Sequence, residues 1–196
     1  MLRKGTSRFE FGLVHHGFAW AFPLENNVNI GVGTFIGKGS ENSDQVLEKL
    51  LPNLGFESNE GIRTNSSLRV WNGHSVLNHN EILVIGDAAS LCDPFLAEGL
   101  RPALMSGEEA AKCLNLWLEG KINTLDSYTT SMKLKWGDSM AWGRRISQVF
   151  YRFPKIGYQL GIKRPTAPER IAQILSGKMS YADIATRVIK RLILKK

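Results

Sequence analysis

The sequence predicts a mixed α/β chain: a β-rich start, one strand–turn–helix unit in the middle, and a helical end. Three observations carry that expectation. Residues 9 to 33 place apolar side chains at strand spacing between turn signals, as half-buried strands do. Ile82-Leu83-Val84-Ile85 is a short apolar run, followed at once by Gly86-Asp87-Ala88-Ala89 and, after Pro94, by a helical pattern from Glu98-Gly99-Leu100 to about Glu119. From Leu125 onward apolar residues recur at helical spacing.

The first strand segment holds Phe9, Phe11, Leu13 and Val14, and His15-His16-Gly17 turns the chain. Phe18 to Pro23 is a second strand, ended by proline, and Glu25-Asn26-Asn27 is a turn whose asparagines suit the required dihedrals. Val28 to Gly33 is a third strand, so the three form an antiparallel hairpin or meander. Gly31-Val32-Gly33 is not a dinucleotide fingerprint, because the third glycine would fall at Ile36. Gly37-Lys38-Gly39 fails as a Walker motif, with Val32 at the first glycine and Gly39 at the Ser/Thr. These glycines are expected to thin the strand where a ligand or another backbone packs.

Asn42 to Leu51 reads as a short amphipathic helix, capped by Ser43 or Asp44, with Val46, Leu47, Leu50 and Leu51 on its apolar side. Pro52 to Arg63 is a polar loop, and Ser67 to Trp71 is a strand candidate. Asn72-Gly73 and Asn78-His79-Asn80 are turns, the second feeding the strand at Ile82. Beyond Leu118, Leu125 to about Phe150 reads as a helix with Tyr128, Met132, Trp136, Met140 and Ile146 on one face, which Gly137 and Gly143 weaken. Trp136, Trp142, Phe150, Tyr151 and Phe153 fit either ordinary helix packing, the preferred reading, or the wall of an apolar tunnel. Pro154, Pro165 and Pro168 punctuate the stretch after Phe153. Ser180 to Leu194 is a basic helix with Tyr181, Ile184, Ala185, Val188 and Leu192 on its apolar side. Such a helix caps a core or lies on an anionic membrane surface.

Composition narrows the function classes. A chain of 196 residues with 43% apolar content builds one domain or two small ones and is not disordered by default. Cys92 and Cys113 give neither a disulfide framework nor metal spacing. No signal-peptide core and no run of bilayer-spanning length is present in the sequence. The net charge of +7 gathers late, at Arg144, Arg145, Arg152, Lys155, Lys163, Arg164, Arg170, Arg187, Lys190, Arg191, Lys195 and Lys196. No nucleic-acid-binding motif accompanies it, so a solvated helical face is the first reading and nucleic acid is not an expected partner. His15, His16, His74 and His79 are scattered beside turns and read as surface residues. Cys92 reads as a small buried thiol with no base beside it in sequence.

The middle unit carries the chemistry. Asp87 is expected at the carboxyl end of a strand, where open α/β sheets bind ligands, and small residues beside it let a backbone approach closely. The helix starting near Leu100 would offer unpaired N–H groups and the positive end of a dipole. This suits a ligand whose hydroxyls Asp87 accepts and whose partial negative charge faces the helix; an Asp acting merely as an N-cap is the alternative. Gly86, Asp87, Ala88, Ala89, Pro94, Glu98 and Gly99 resemble the second flavin-binding motif of the FAD-dependent oxidoreductases related to p-hydroxybenzoate hydroxylase. Within them the stretch looks most like the geranylgeranyl reductase family, roughly G-D-A-A-G-x-x-x-P-x-x-G-E-G-I. Ser90 stands where glycine is usual, and Ala97 replaces the first Gly of G-E-G. Gly17 to Pro23 followed by Val28 to Gly33 is similar to that family's G-Y-x-W-x-F-P and V-N-V-G-x-G hairpin.

The resemblance covers about Gly17 to Leu118. It implies a partial FAD/NAD(P)-binding Rossmann-like flavoprotein fold with an antiparallel substrate-domain sheet and a helical C-terminus. Residues 1–80 would be part of the substrate domain, 81–120 the last strand and helix of the FAD-binding domain, and 121–196 a helical region. It implies that Asp87 bonds the ribityl chain of FAD and that Gly99 and Leu100 present backbone near the flavin ring. Trp20 and Phe22 become candidate walls of a substrate cavity. The family's opening strand, G-x-G-x-x-G and helix have no counterpart in this sequence, so the chain is expected to be the C-terminal part of a longer flavoprotein or to pair with a separate N-terminal ADP-binding half. The implied reaction is reduction of C=C bonds in a prenyl chain, with NADPH or another reductant recharging the flavin. The alternatives are an aromatic monooxygenase or halogenase of the same superfamily and a non-catalytic remnant or subunit. A cytoplasmic location with peripheral contact at a membrane face is implied by a prenyl or other apolar substrate. The proton donor is not marked by spacing.

Overall fold

The structure, a computed structural model, describes residues 5–34, 43–57 and 59–193, with the backbone alone for 160, 188, 189 and 191–193. The expectations placed on Ile36, Gly37-Lys38-Gly39, Asn42, Leu194, Lys195 and Lys196, and on the side chains of Val188, Arg191 and Leu192, lie outside the described residues. In chain order the elements are β1 (Arg8–Phe11), β2 (Gly17–Pro23), β3 (Val28–Thr34), α1 (Ser43–Leu54), β4 (Asn78–His79), β5 (Ile82–Leu83), a 3-10 turn (Gly86–Ala89), α2 (Leu100–Leu118), α3 (Asp126–Met132), a π-helical segment (Lys133–Gly137), α4 (Asp138–Arg152), α5 (Pro154–Gly157), a second π-helical segment (Tyr158–Ile162), α6 (Ala167–Leu175) and α7 (Tyr181–Ile193). The mixed α/β class is the one expected, with two small antiparallel sheets among the described residues. The chain divides into two units: Met1–Ser67 with Phe150–Tyr158, and Leu68–Val149 with Gln159–Lys196.

In the first unit β1, β2 and β3 form one antiparallel sheet, with Phe9 opposite Trp20 and Trp20 opposite Gly31. Alternation along β2 sorts its side chains. Ala19 and Ala21 join Leu50 and Leu54 of α1 in a core that Val28, Ile30, Val32 and Phe56 complete. Small alanines let the helix approach the sheet. Phe18, Trp20 and Phe22 go to the other face, where Phe9 lies 5.7 Å from Phe18 and 5.1 Å from Phe22. The indole of Trp20 lies across Gly31, and a methyl group on Gly31 would fall inside the ring. A methyl group on Gly17 would meet the Gly33 carbonyl. The expectation that a ligand or another backbone needs the glycines is thus corrected at Gly31: a side chain of the same sheet occupies the space.

Helix α1 runs past the expected end at Leu51 and holds Pro52 in its last turn. It stops at Gly55, whose φ is +89°. Gly55 N–H donates to the Pro52 carbonyl (3.1 Å) and Phe56 N–H to the Leu51 carbonyl (3.1 Å), a Schellman cap. Phe150 and Tyr151 return to this unit and pack on Phe11 (5.7 Å) and His16 (5.9 Å).

The second unit begins less regularly than the sequence suggests. The strand expected at Ser67 to Trp71 is one parallel bridge, Val70 with Cys92, plus a Trp71 N–H to Cys92 carbonyl bond of 2.8 Å. The run Ile82 to Ile85 differs from the buried strand expected of it: only Ile82 and Leu83 pair, and Ile82 and Ile85 are 64% and 46% exposed. Val84 extends the hairpin by donating to Leu77 (2.9 Å).

The single helix expected from Leu125 to Phe150 is α3 and α4 joined through the π segment. Tyr128, Met132, Trp136 and Met140 are each 1% exposed. A strict four-residue step drifts around an α-helix of 3.6 residues per turn, and the wider π turn takes up that drift, so all four stay inward. Gly137 and Gly143 are seats for rings: a methyl group would lie 2.8 Å from the His74 imidazole at the first and 2.7 Å from Tyr181 at the second. Helix α7 starts with a capping box, in which the Ser180 hydroxyl accepts from Asp183 N–H (3.2 Å) and the Asp183 carboxylate accepts from Ser180 N–H (2.9 Å). The Ser180 N–H and the Ser180 hydroxyl (2.7 Å) both donate to this carboxylate and, with Arg187 nearby, hold Asp183 below the usual carboxylate range.

Candidate functional site

Backbone conformation defines the centre of the second unit. Ile85 is extended, Gly86 has φ of +56°, and the 3-10 turn closes at Ser90 with φ of +53°. Ala97 is also left-handed, at +55°. Ser90 and Ala97 are the two positions where the resembled motif carries glycine. Left-handed backbone costs an L-residue about 1–2 kcal/mol, so the motif's glycine pattern has a conformational cause that this chain meets without glycine.

The turn is fastened to α2 by a serine that no sequence pattern marks. Gly86 N–H donates to the Ser106 hydroxyl (3.0 Å), which donates to the Ala103 carbonyl (3.0 Å). Ser106 is fully buried, and a methyl group on Gly86 would lie 3.2 Å from the Ala103 methyl. Tyr128 donates its phenol to the Val84 carbonyl (2.8 Å), and burial pushes that phenol up to about 12.

The loop from Leu91 to Leu96 is buried and held at several points. Trp136 donates its indole N–H to the Leu91 carbonyl (2.8 Å), and Ser147 donates to the Pro94 carbonyl (3.0 Å). Asp93, 1% exposed, accepts from Phe95 N–H (2.7 Å), Leu96 N–H (2.9 Å) and the Tyr181 hydroxyl (2.7 Å). Burial pushes the Asp93 carboxyl above its ordinary value, against these three donors, which favour the anion. No sequence signal pairs Asp93 with Tyr181, 88 positions away.

The fold separates the expected site residues into exposed and buried sets. Gly86 and Ala89 are buried in the turn, while Asp87 and Ala88 are exposed on it. Pro94 is buried. Glu98 caps α2 by accepting from Arg101 N–H (2.6 Å), and its other oxygen lies 3.9 Å from Arg101 Nε. The Arg101 guanidinium stacks 4.6 Å over Trp136 and donates to the Ile174 carbonyl (3.3 Å). Gly99 and Asp87 are brought together: a methyl group on Gly99 would lie 3.0 Å from Asp87 Oδ1 and 3.8 Å from Cys92 Sγ.

The start of α2 differs from a row of free amides. Arg101 N–H is taken by Glu98, Pro102 has none, and Ala103 N–H donates to the Gly99 carbonyl (3.1 Å). Among the described residues the N–H groups of Gly99 and Leu100 have no protein partner. An exposed carboxylate therefore stands beside two free amides, an acceptor and two donors on one small surface. That set could take a ligand that offers hydroxyls to Asp87 and carbonyls to the two amides.

Cys92 is fully buried, and burial, followed by the Asp93, Asp87 and Glu98 charges, pushes its thiol up to about 12. It stays protonated at neutral pH and is no nucleophile. The aromatics that fit a tunnel by sequence are engaged differently. Trp136 is a buried donor, Phe150 and Tyr151 pack on Phe11 and His16, and Phe153 is exposed. Trp20 and Phe22 are half-buried on the sheet's aromatic face, with Trp20 Nε1–H donated to Asn29 (2.7 Å). His15, His74 and His79 are exposed or half-exposed and His16 is half-buried; His74 lies 3.5 Å from Asp138. Among the described residues no group of three or more His, Cys, Asp and Glu side chains is placed to hold a metal ion. Among them, too, no helix is long and apolar enough to cross a membrane.

No protein-family model matches the chain, and no curated protein does. Among solved structures it is similar to a geranylgeranyl bacteriochlorophyll reductase-like protein from Thermoplasma acidophilum. The TM-score is 0.68 at 19% identity, and the match covers 77% of this chain and 40% of that one. The chain thus spans well under half the length of this relative. A likeness at that identity shows the fold, a mixed α/β arrangement consistent with part of a flavoprotein-like chain.

Proposed function

We propose that the chain is part of an FAD-dependent oxidoreductase of the geranylgeranyl reductase type, with Gly86 to Leu100 as its flavin-facing element. The observation that carries the reading is the meeting of Asp87 with Gly99 and the free amides of Gly99 and Leu100. The reductase-like neighbour supports it at the level of fold. Asp87 would accept from the ribityl hydroxyls, and Gly99 and Leu100 would donate to the ring. Exposed Ala88 would keep the approach open, buried Gly86 and Ala89 would hold the turn in place, and Pro94 and Glu98 would hold the loop that aims the two amides. FAD held there and first reduced by NADPH or a similar donor would supply the hydride for reduction of a C=C bond in a prenyl chain, the matching proton coming from water or a positioned acid. The chain's own part is orientation and exclusion of water.

The ADP half of the cofactor needs phosphate-binding backbone of the G-x-G-x-x-G kind, from the rest of a longer polypeptide or from a separate subunit. A flavin titration by fluorescence quenching tests the reading, alone and with such a half added. Asp87→Ala removes a charge-assisted acceptor and should weaken saturable binding about ten- to a hundredfold. Binding that Asp87→Ala leaves unchanged would remove Asp87 from the site. No binding with or without the added half would remove the oxidoreductase reading.

A further inference from the structure

We propose that the turn Arg152 to Tyr158 docks the protein on an anionic lipid surface, with Phe153 and Ile156 entering the headgroup–acyl boundary. This surface differs from the C-terminal helix to which the sequence alone points, and the inference does not rest on the flavin reading.

The turn has a fixed base. Phe150 and Tyr151 are buried, packed on each other at 5.2 Å and on Phe11 and His16. Gly157 faces back onto Phe150, where a methyl group would lie 2.6 Å from the ring. Around that one inward residue the others point out. Phe153, Ile156 and Tyr158 are 55%, 56% and 45% exposed, and Arg152, Pro154 and Lys155 are exposed as well. Pro154 opens α5 as its first residue, so the turn forms without an N–H that needs a partner there.

Charge selects the occupant. Between Asp138 and Glu169 the sequence holds no acidic residue and six cations: Arg144, Arg145, Arg152, Lys155, Lys163 and Arg164. Among the described residues Arg152 and Lys155 have no acidic partner. The exposed turn sets Phe153 between Arg152 and Lys155, with Ile156 and Tyr158 just after them. It has the amphipathic composition of interfacial anchors, in which aromatic and aliphatic groups insert and the cations meet lipid phosphates. Each cation near an anionic surface adds to the attraction, and salt screens it.

The test is sedimentation of the full chain with phosphatidylcholine vesicles, either pure or with about one quarter phosphatidylglycerol. Binding should need the anionic lipid and fall steeply when salt is raised to about 0.5 M. The pair Phe153→Ala and Ile156→Ala should lower the partition coefficient about tenfold with unchanged far-UV circular dichroism. Arg152→Ala with Lys155→Ala should flatten the salt dependence, whereas Arg187→Ala with Lys190→Ala on α7 should change little. Absence of vesicle binding overturns the proposal. So does binding that survives loss of Phe153 and Ile156, binding lost only with the α7 pair, or a preference for an oligonucleotide over the vesicles.

Discussion

The hairpin Gly17 to Thr34 and the turn Gly86 to Leu100 both carry glycine-bearing motifs, and the glycines serve opposite ends. In the hairpin the space they leave is filled from within, Trp20 lying across Gly31 and the Gly33 carbonyl pressing on Gly17. In the turn, a methyl group on Gly99 would meet the exposed carboxylate of Asp87, and the N–H groups of Gly99 and Leu100 have no protein partner among the described residues. The means of support differ too. The hairpin is held by apolar packing, Ala19 and Ala21 under α1 and five aromatic rings on the other face. The turn and its loop are held by buried polar bonds, Ser106 to Gly86, Tyr128 to Val84, Trp136 to Leu91, Ser147 to Pro94 and Tyr181 to Asp93. A packed motif tolerates no added volume, and a hydrogen-bonded one tolerates no lost partner.

The largest expected effect is in the hairpin. Gly17→Ala sets a methyl group against the backbone carbonyl of Gly33, which cannot swing aside as a side chain can. A loss of about 3 kcal/mol in urea unfolding is expected, at the upper end for overpacking. A loss below about 1 kcal/mol would mean that the strands part easily, and the contrast between the two motifs would fail.

An intermediate effect concerns acid. Glu109 on α2 bonds Lys135 (2.7 Å), Ser131 (2.5 Å) and Lys112 (3.2 Å), and Lys135, the largest influence, with Ser131 lowers it to about 2. A carboxyl depressed in the folded state contributes stability at neutral pH that is lost as pH falls from about 4.5 through about 2. Asp93 has the opposite sign, since its raised carboxyl favours folding at low pH and the benefit fades as pH rises through its folded value. Comparing the chain with Glu109→Gln isolates the first contribution: the variant should lose less stability across that acid window. Parallel curves would show that the ion pairs around α2 add nothing to the fold.

The hairpin is legible in the sequence because period-two alternation, Pro23 and Asn26-Asn27 are local signals. Helices α2, α4 and α7 are legible for the same reason, although the π segment is not, since only the strict four-residue step from Tyr128 to Met140 betrays it. The short pairing of β5 is hidden, because an apolar run reads as buried whether or not its sheet partners lie in the chain. Of the site, Asp87 and Gly99 are marked by motif. Ser106, Tyr128, Trp136 and Ser147 are not, because a side chain bonded to a distant backbone group, the Gly86 N–H for Ser106 and a carbonyl for the other three, leaves no trace at that group's own residue. Arg101 escapes notice likewise: its stacking on Trp136 joins residues with no periodic relation.

The smallest effect is the sharpest in sign. Ala97 holds φ of +55° and Ser90 +53°, where glycine has no steric penalty. Ala97→Gly removes a left-handed cost of about 1–2 kcal/mol but widens the unfolded ensemble by about 0.5–1 kcal/mol, so a net gain of about 0.5–1 kcal/mol is expected. The same change at exposed Ala111 within α2 should cost about 1 kcal/mol, because there glycine only weakens a helix. Opposite signs in thermal unfolding would show that glycine at Ala97 acts through the turn's conformation. Two losses would place Ala97 in ordinary backbone, and the account of why the motif prefers glycine there would fall with it.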